Sequence, residues 1–102
     1  MIHVVAIIKT KPGKREEVLN AALANLASVR AEKGCIEYIP IVDAEFGEFQ
    51  TPIGDDSFIV SEKWQSDDCL RAHAKAPHML EYAKKVGHLL ESRTIHVLRA
   101  IG

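Results

Sequence analysis

The chain of 102 residues contains no apolar run approaching the roughly 20 residues needed to cross a bilayer. Its N-terminal run, IHVVAII, is short and follows Met1 with no charged segment before it, so neither a membrane span nor a signal peptide is expected. Cysteine is scarce. Cys35 and Cys69 stand alone without CxxC spacing, which argues against a disulfide framework and reads as reduced, buried thiols in a cytoplasmic protein. An excess of one charge is missing too. Thirteen Lys and Arg against fourteen Asp and Glu leave a net charge of −1, which gives no ground for nucleic acid or an anionic membrane as partner. There is no Gly-rich dinucleotide fingerprint, no P-loop and no nucleophile elbow. No H-x-x-x-H or paired carboxylates occur at ligand spacing on one helix face, so no metal site is expected.

What remains is a soluble-type composition, 47% hydrophobic and 26% charged, of a length that fits one domain over residues 1–102. Residues 2–9 (IHVVAIIK) are rich in β-branched types and read as a strand. KPG at 11–13 ends it. Val18, Ala22, Leu26 and Val29 then recur on one helical face, and Gly34 is placed as a glycine that stops the helix. IEYIPIV (36–42) reads as a second strand, with Pro40 pointing to a sheet edge or bulge. The segment 43–56 carries Gly and Pro breakers beside Phe46 and Phe49, and a connection this long is usually functional or a lid. SFIVSEKW (57–64), two short helices divided near Pro77, and a last strand TIHVLRAI (94–101) complete the order β-α-β-β-α-β. That order predicts an α+β ferredoxin-like fold, an antiparallel sheet with helices on one face. In the first strand Val4, Ala6 and Ile8 face one way and Val5 and Ile7 the other; Ile39 and Ile41 oppose Tyr38 in the second. A sheet apolar on both faces needs a cover on both, and a domain this small gains from a partner, so a homodimer is expected.

The densest chemistry lies in WQSDDCLRAHAKAPHML, residues 64–80. Trp64 ends the third strand, on the face shared with Phe58, Val60 and Glu62. Ser66 is a good N-cap and Asp67 and Asp68 suit a helix start. His73 follows Cys69 by four residues and Leu70 by three, near the apolar face. Pro77 suits the first position of a new helix, which puts His78 in its first turn, where the dipole disfavours positive charge. The end of the preceding helix has the opposite bias at His73, so the pair has the makings of an acid–base couple. A core histidine bonded to a carbonyl is the plain alternative for each ring. A core or seam aromatic is the plain alternative for Trp64, and Tyr82 could turn its hydroxyl to the same space. Glu62 and Glu45 read as isolated, solvated or ion-paired acids, and His3, His88 and His96 have no patterned neighbours.

With KPGKREEVL, EKGCIEYIPIVD, SFIVSEKWQS and LRAHAKAPHMLEYAKKV in place, the chain resembles the antibiotic biosynthesis monooxygenase domain family, most closely its small quinol monooxygenase branch. The E-x-W pair followed by H-x-x-x-P-H is the most specific part of the resemblance. It implies a dimeric α+β barrel. It also implies oxidation of a polycyclic phenol or hydroquinone by O2 with neither metal nor flavin, the substrate supplying the electrons. Carried over by position, Trp64, His73 and His78 would be catalytic, Trp64 stacking on the substrate or orienting oxygen and one histidine acting as base; Tyr38, Phe46, Phe49 and Tyr82 are candidates for the walls around a small aromatic substrate. Some members carry an asparagine before the tryptophan on the same strand face, where this chain has Val60 and Glu62. Two other functions are open: an isomerase or lyase acting on a small phosphorylated or dicarbonyl metabolite, and a non-catalytic ligand-binding dimer. A pocket lined by Lys63, Lys84, Lys85 or Arg71 would favour the isomerase; an apolar pocket would favour the quinol.

Overall fold

The computed structural model describes residues 1–102. The elements are β1 (Ile2–Thr10), α1 (Arg15–Arg30), β2 (Cys35–Ile41), β3 (Ser57–Trp64), α2 (Asp67–Lys75), α3 (Pro77–Val86) and β4 (Leu90–Leu98), with a single 3-10 turn at Gly87–Leu89 before β4. The sheet is antiparallel in the order β2-β3-β1-β4, the ferredoxin-like arrangement expected from the element order. Pro40 lies on the edge strand β2, where the missing N–H breaks no ladder bond on its open side.

Period-2 alternation decides which side chains meet the helices. Val4, Ala6 and Ile8 from β1 and Phe58, Val60 and Trp64 from β3 are buried under α1 and α3, and Tyr38 joins them from β2. From α1 come Val18, Ala22 and Val29, with Leu26 half-buried, so the predicted stripe is the one that packs. The Arg30 guanidinium donates twice to the Tyr38 carbonyl, at 2.9 and 3.2 Å, and ties the end of α1 to the edge strand. On the opposite face Ile41, Ile59 and Ile7 form a row across three strands, and Ile39 lies beside it. No helix of this chain covers them.

Three boundaries differ from the sequence reading. The last strand starts at Leu90 and ends at Leu98, because β4 is an edge strand exposed along most of its length and therefore tolerates Glu91, Ser92 and Arg93. Helix α1 already ends at Arg30, so Gly34 is not its stop signal. With φ of +79° it instead shapes the entry to β2 and leaves Glu32 in the turn between. The 42–56 connection is tied at its base by Asp43, whose carboxylate accepts the N–H groups of Ile53 and Gly54 at 3.0 Å each. Those backbone bonds hold the Asp43 carboxyl below the usual carboxylate range.

Gly34 also packs closely. A β-carbon there would overlap Sγ of Cys69 and come within 2.9 Å of its Cβ. Gly34→Ala is expected to lower the unfolding free energy by roughly 2 to 4 kcal/mol, read as a lower urea midpoint at unchanged slope. Gly13→Ala is the control. Its φ is also positive (+76°) but it has nothing within 4 Å, so it should lose only about 1 kcal/mol.

Candidate active site

A cavity of about 430 Å³ lies between the sheet and the helices. Fifteen of the twenty residues lining it are hydrophobic, which makes its few polar groups informative. Those are Asn25, Glu62, His73 and Arg93, together with the hydroxyls of Tyr38 and Tyr82, whose rings are among the fifteen.

Glu62 is held there by strand geometry. It lies two residues before Trp64 on the same face of β3 and opposite Tyr38 on β2. Only 6% exposed, it is a buried acid rather than the solvated or ion-paired group expected from the sequence. The Trp64 indole N–H donates to its Oε1 at 2.9 Å. Burial pushes the Glu62 carboxyl above its ordinary range, while the Trp64 hydrogen bond and the facing His73 ring pull the other way.

His73 comes from the last turn of α2. Ser66 starts that helix as expected, its Oγ accepting the Cys69 N–H at 3.2 Å. The ring packs 4.6 Å from the Trp64 indole at a 34° tilt, and Tyr38 meets it edge-on at 5.5 Å. Its Nδ1 lies 2.8 Å from Oε2 of Glu32, and its Nε2 lies 4.0 Å from Oε1 of Glu62. A carboxylate can only accept, so Nδ1 carries the proton in that bond and Nε2 of the neutral ring keeps its lone pair. His78 reaches the same carboxylate. Pro77 opens α3 after an extended Ala76 (ψ 138°), and the Nε2 of His78 then lies 2.8 Å from the same Oε2 of Glu32.

The residues singled out from the sequence therefore separate. His73, Tyr38 and Tyr82 line the cavity. Burial raises both phenols above their ordinary range, so each stays a neutral hydroxyl. Trp64 is fully buried and is not in the lining; it has no free face for a ligand and instead supports Glu62 and His73. His78 borders a shallow outer groove between α1 and α3 rather than the cavity. Phe46 and Phe49 meet edge to face at 5.2 Å in the 42–56 connection, exposed and outside the lining of this chain's cavity. No group of three or more His, Cys, Asp or Glu side chains is arranged to hold a metal ion.

The sequence pattern described as "Antibiotic biosynthesis monooxygenase" matches residues 1–85. The chain belongs to the antibiotic biosynthesis monooxygenase family. Among similar proteins of this family is one from Escherichia coli named "Probable quinol monooxygenase YgiN", 37% identical over 94 residues that cover 89% of this chain and 90% of the relative. Among solved structures, PA3566 from Pseudomonas aeruginosa superposes with a TM-score of 0.83 at 26% identity, covering 99% of this chain and 94% of the other. Rv0793 from Mycobacterium tuberculosis gives 0.82 at 25% identity, covering 99% and 95%. Membership supports monooxygenase chemistry at the level of the family.

Glu32 and Arg93 escaped the sequence reading. Nothing in EKG marks the acid as half-buried and shared by two histidines, because its neighbours come from helices more than 40 residues away. Arg93 lies in a charged run that reads as the approach to a strand rather than part of one. For Glu62 the parity of β3 was the available signal, since it shares a face with three apolar residues.

The raised Glu62 carboxyl binds its proton more tightly folded than unfolded. It therefore favours the fold at low pH, and that contribution is lost as pH rises through its folded value. Glu62→Gln keeps an acceptor for the indole and removes the titration. Relative to wild type, the variant should gain stability as pH rises above the ordinary carboxylate range and hold that gain once the folded carboxyl has ionised, measured by urea unfolding at each pH. A difference independent of pH would mean that the carboxyl titrates as it does in water.

Proposed function

We propose that this protein is a monooxygenase that oxidises a quinol or polycyclic phenol with O2. The observation that carries the reading is the His73 ring at the wall of a mostly apolar cavity, with Nδ1 2.8 Å from Glu32 and the opposite nitrogen, Nε2, turned toward Glu62. A neutral ring with its proton on Nδ1 is ready to take a hydroxyl proton. A substrate oxygen about 2.8 Å from both His73 Nε2 and Glu62 Oε1 fits the 4.0 Å between them. The Arg93 guanidinium, the one cationic group in the lining, suits the phenolate that results.

The chemistry balances without a further reductant. The quinol gives up its electrons, one oxygen atom enters the ring to give a hydroxyquinone, and the other leaves as water. The apolar walls favour a flat aromatic substrate and keep water from the anion. The name of the Escherichia coli relative supports a quinol in particular. For an isomerase acting on a phosphorylated metabolite Lys63, Lys84, Lys85 and Arg71 were the cations expected at the pocket; none of them borders the cavity, where Arg93 is the single such group, and Lys84 and Lys85 border the outer groove.

The working unit in this reading is a homodimer in the cytoplasm. The uncovered row of Ile7, Ile41 and Ile59 supports it, since Ile41 is 44% exposed in the single chain. Ile41→Asp with Ile59→Lys should shift the sedimentation mass from two chains to one. Unchanged monomer mass for the wild type would remove the dimer.

For the reaction, oxygen uptake with a reduced naphthoquinol should exceed the quinol's self-oxidation, and His73→Ala should lower kcat by on the order of 10²-fold or more. Wild-type uptake at the background rate would refute this substrate class.

A further inference from the structure

Glu32 Oε2 takes two imidazoles at once. His73 Nδ1 and His78 Nε2 each lie 2.8 Å from it. Side-chain exposure rises along the series, from 7% at His73 through 13% at Glu32 to 27% at His78. The inner ring borders the cavity, and the outer ring borders the groove between α1 and α3. Three side chains thus run from one space to the other, and Asn25 and Tyr82 line both.

One carboxylate compensates one imidazolium. A second imidazolium on the same oxygen would face an unbalanced like charge a few ångströms away in a partly desolvated site, so the two rings cannot gain positive charge independently. The surroundings bias the two ends differently. Glu32, Glu62, Tyr38 and Trp64 surround His73. His78 shares Glu32 and is the more exposed ring, in a groove carrying Glu81, Lys84, Lys85 and the Tyr82 hydroxyl, so a single imidazolium costs less desolvation there than at His73.

We propose that His78 is the outer half of a proton-exchange pair: when Nε2 of His73 takes a proton from a bound hydroxyl, the shared Glu32 carboxylate couples that event to release of a proton from His78 into the outer groove. This rests on the reading of His73 as the proton acceptor. In the step, the substrate O–H bond breaks and an N–H bond forms at Nε2 of His73. In turn the N–H bond at Nδ1 of an imidazolium His78 breaks, its proton goes to bulk water, and Nε2–H remains on Glu32. The carboxylate keeps its charge, no electrons move, and the cluster ends with the net charge it began with. The charge taken up at the cavity wall is thereby balanced without opening a water path into the cavity. His78 acts here as a positioning residue, since it touches neither the cavity nor its contents.

The decisive variant is His78→Gln, whose amide keeps an N–H donor for Glu32 but cannot exchange a proton. Ring NMR titrations of the full chain should give a two-step curve for His73 in the wild type. The curve should be single-step in His78→Gln, and again in Glu32→Gln, which leaves both rings in place. In oxygen uptake with reduced naphthoquinol, His78→Gln should lose about tenfold in kcat at low buffer with KM unchanged, and added imidazole should restore it while leaving the wild type unaffected. A single-step wild-type titration that His78→Gln leaves unchanged overturns the proposal whatever the turnover. A coupled titration with wild-type turnover in His78→Gln overturns it too, because the exchange would then not serve the reaction. If the wild type turns over no quinol, the substrate reading fails, and the titration alone decides whether the pair is coupled.

Discussion

A single carboxylate oxygen holds this site together. Oε2 of Glu32 stands in the turn between α1 and β2 and binds one histidine from the end of α2 and one from the start of α3. Pro77 divides those helices and keeps Ala76 extended, so without a fastening on both sides of the break their relative orientation would rest on few contacts. The charge-assisted bonds to Glu32 provide that fastening and set the tautomer of His73. The lone pair of the inner ring therefore depends on a turn at the far end of α1, and through it on Gly34, whose positive φ brings that turn into β2.

A second constraint comes from β3. Placing an acid on the face that carries Phe58, Val60 and Trp64 puts a carboxyl into a desolvated space, where it raises its own proton affinity. The indole N–H of Trp64 satisfies one of its oxygens, and His73 stacks over that indole. Trp64 thus touches both of these polar groups, donating to Glu62 and packing against His73, and does so from outside the cavity lining. Most of the remaining lining is apolar, a combination that suits removal of a proton from an aromatic hydroxyl, with charge then held away from water.

The apolar pattern of the sheet extends to both of its faces. One face is covered by α1 and α3 and encloses the cavity; the other presents Ile7, Ile41 and Ile59 without cover from this chain. A domain of this length has room for helices on one side only, so this chain leaves its second apolar face without cover of its own. The site thereby lies on the helical side of the sheet, away from the surface that a second copy would occupy.

Local regularities settled much of this protein from sequence alone. Strand parity placed Val4, Ala6, Ile8, Phe58, Val60 and Trp64 on one face, Ser66 capped α2, Pro77 opened α3, and the element order fixed the sheet topology, because each depends on neighbours within a few residues. His73 and His78 were legible as a pair for the same reason. Tertiary structure decided what they do to each other. Their common partner, Glu32, is 41 and 46 residues away, and no local pattern distinguishes it from a solvated glutamate. The same limit applies to Arg93, brought to the cavity by an edge strand whose polar start looks like a loop, and to Phe46 and Phe49, which sequence placed at the site and the fold leaves on an exposed connection. Periodicity tells a side chain which face it occupies, but only packing between distant segments determines what it meets there.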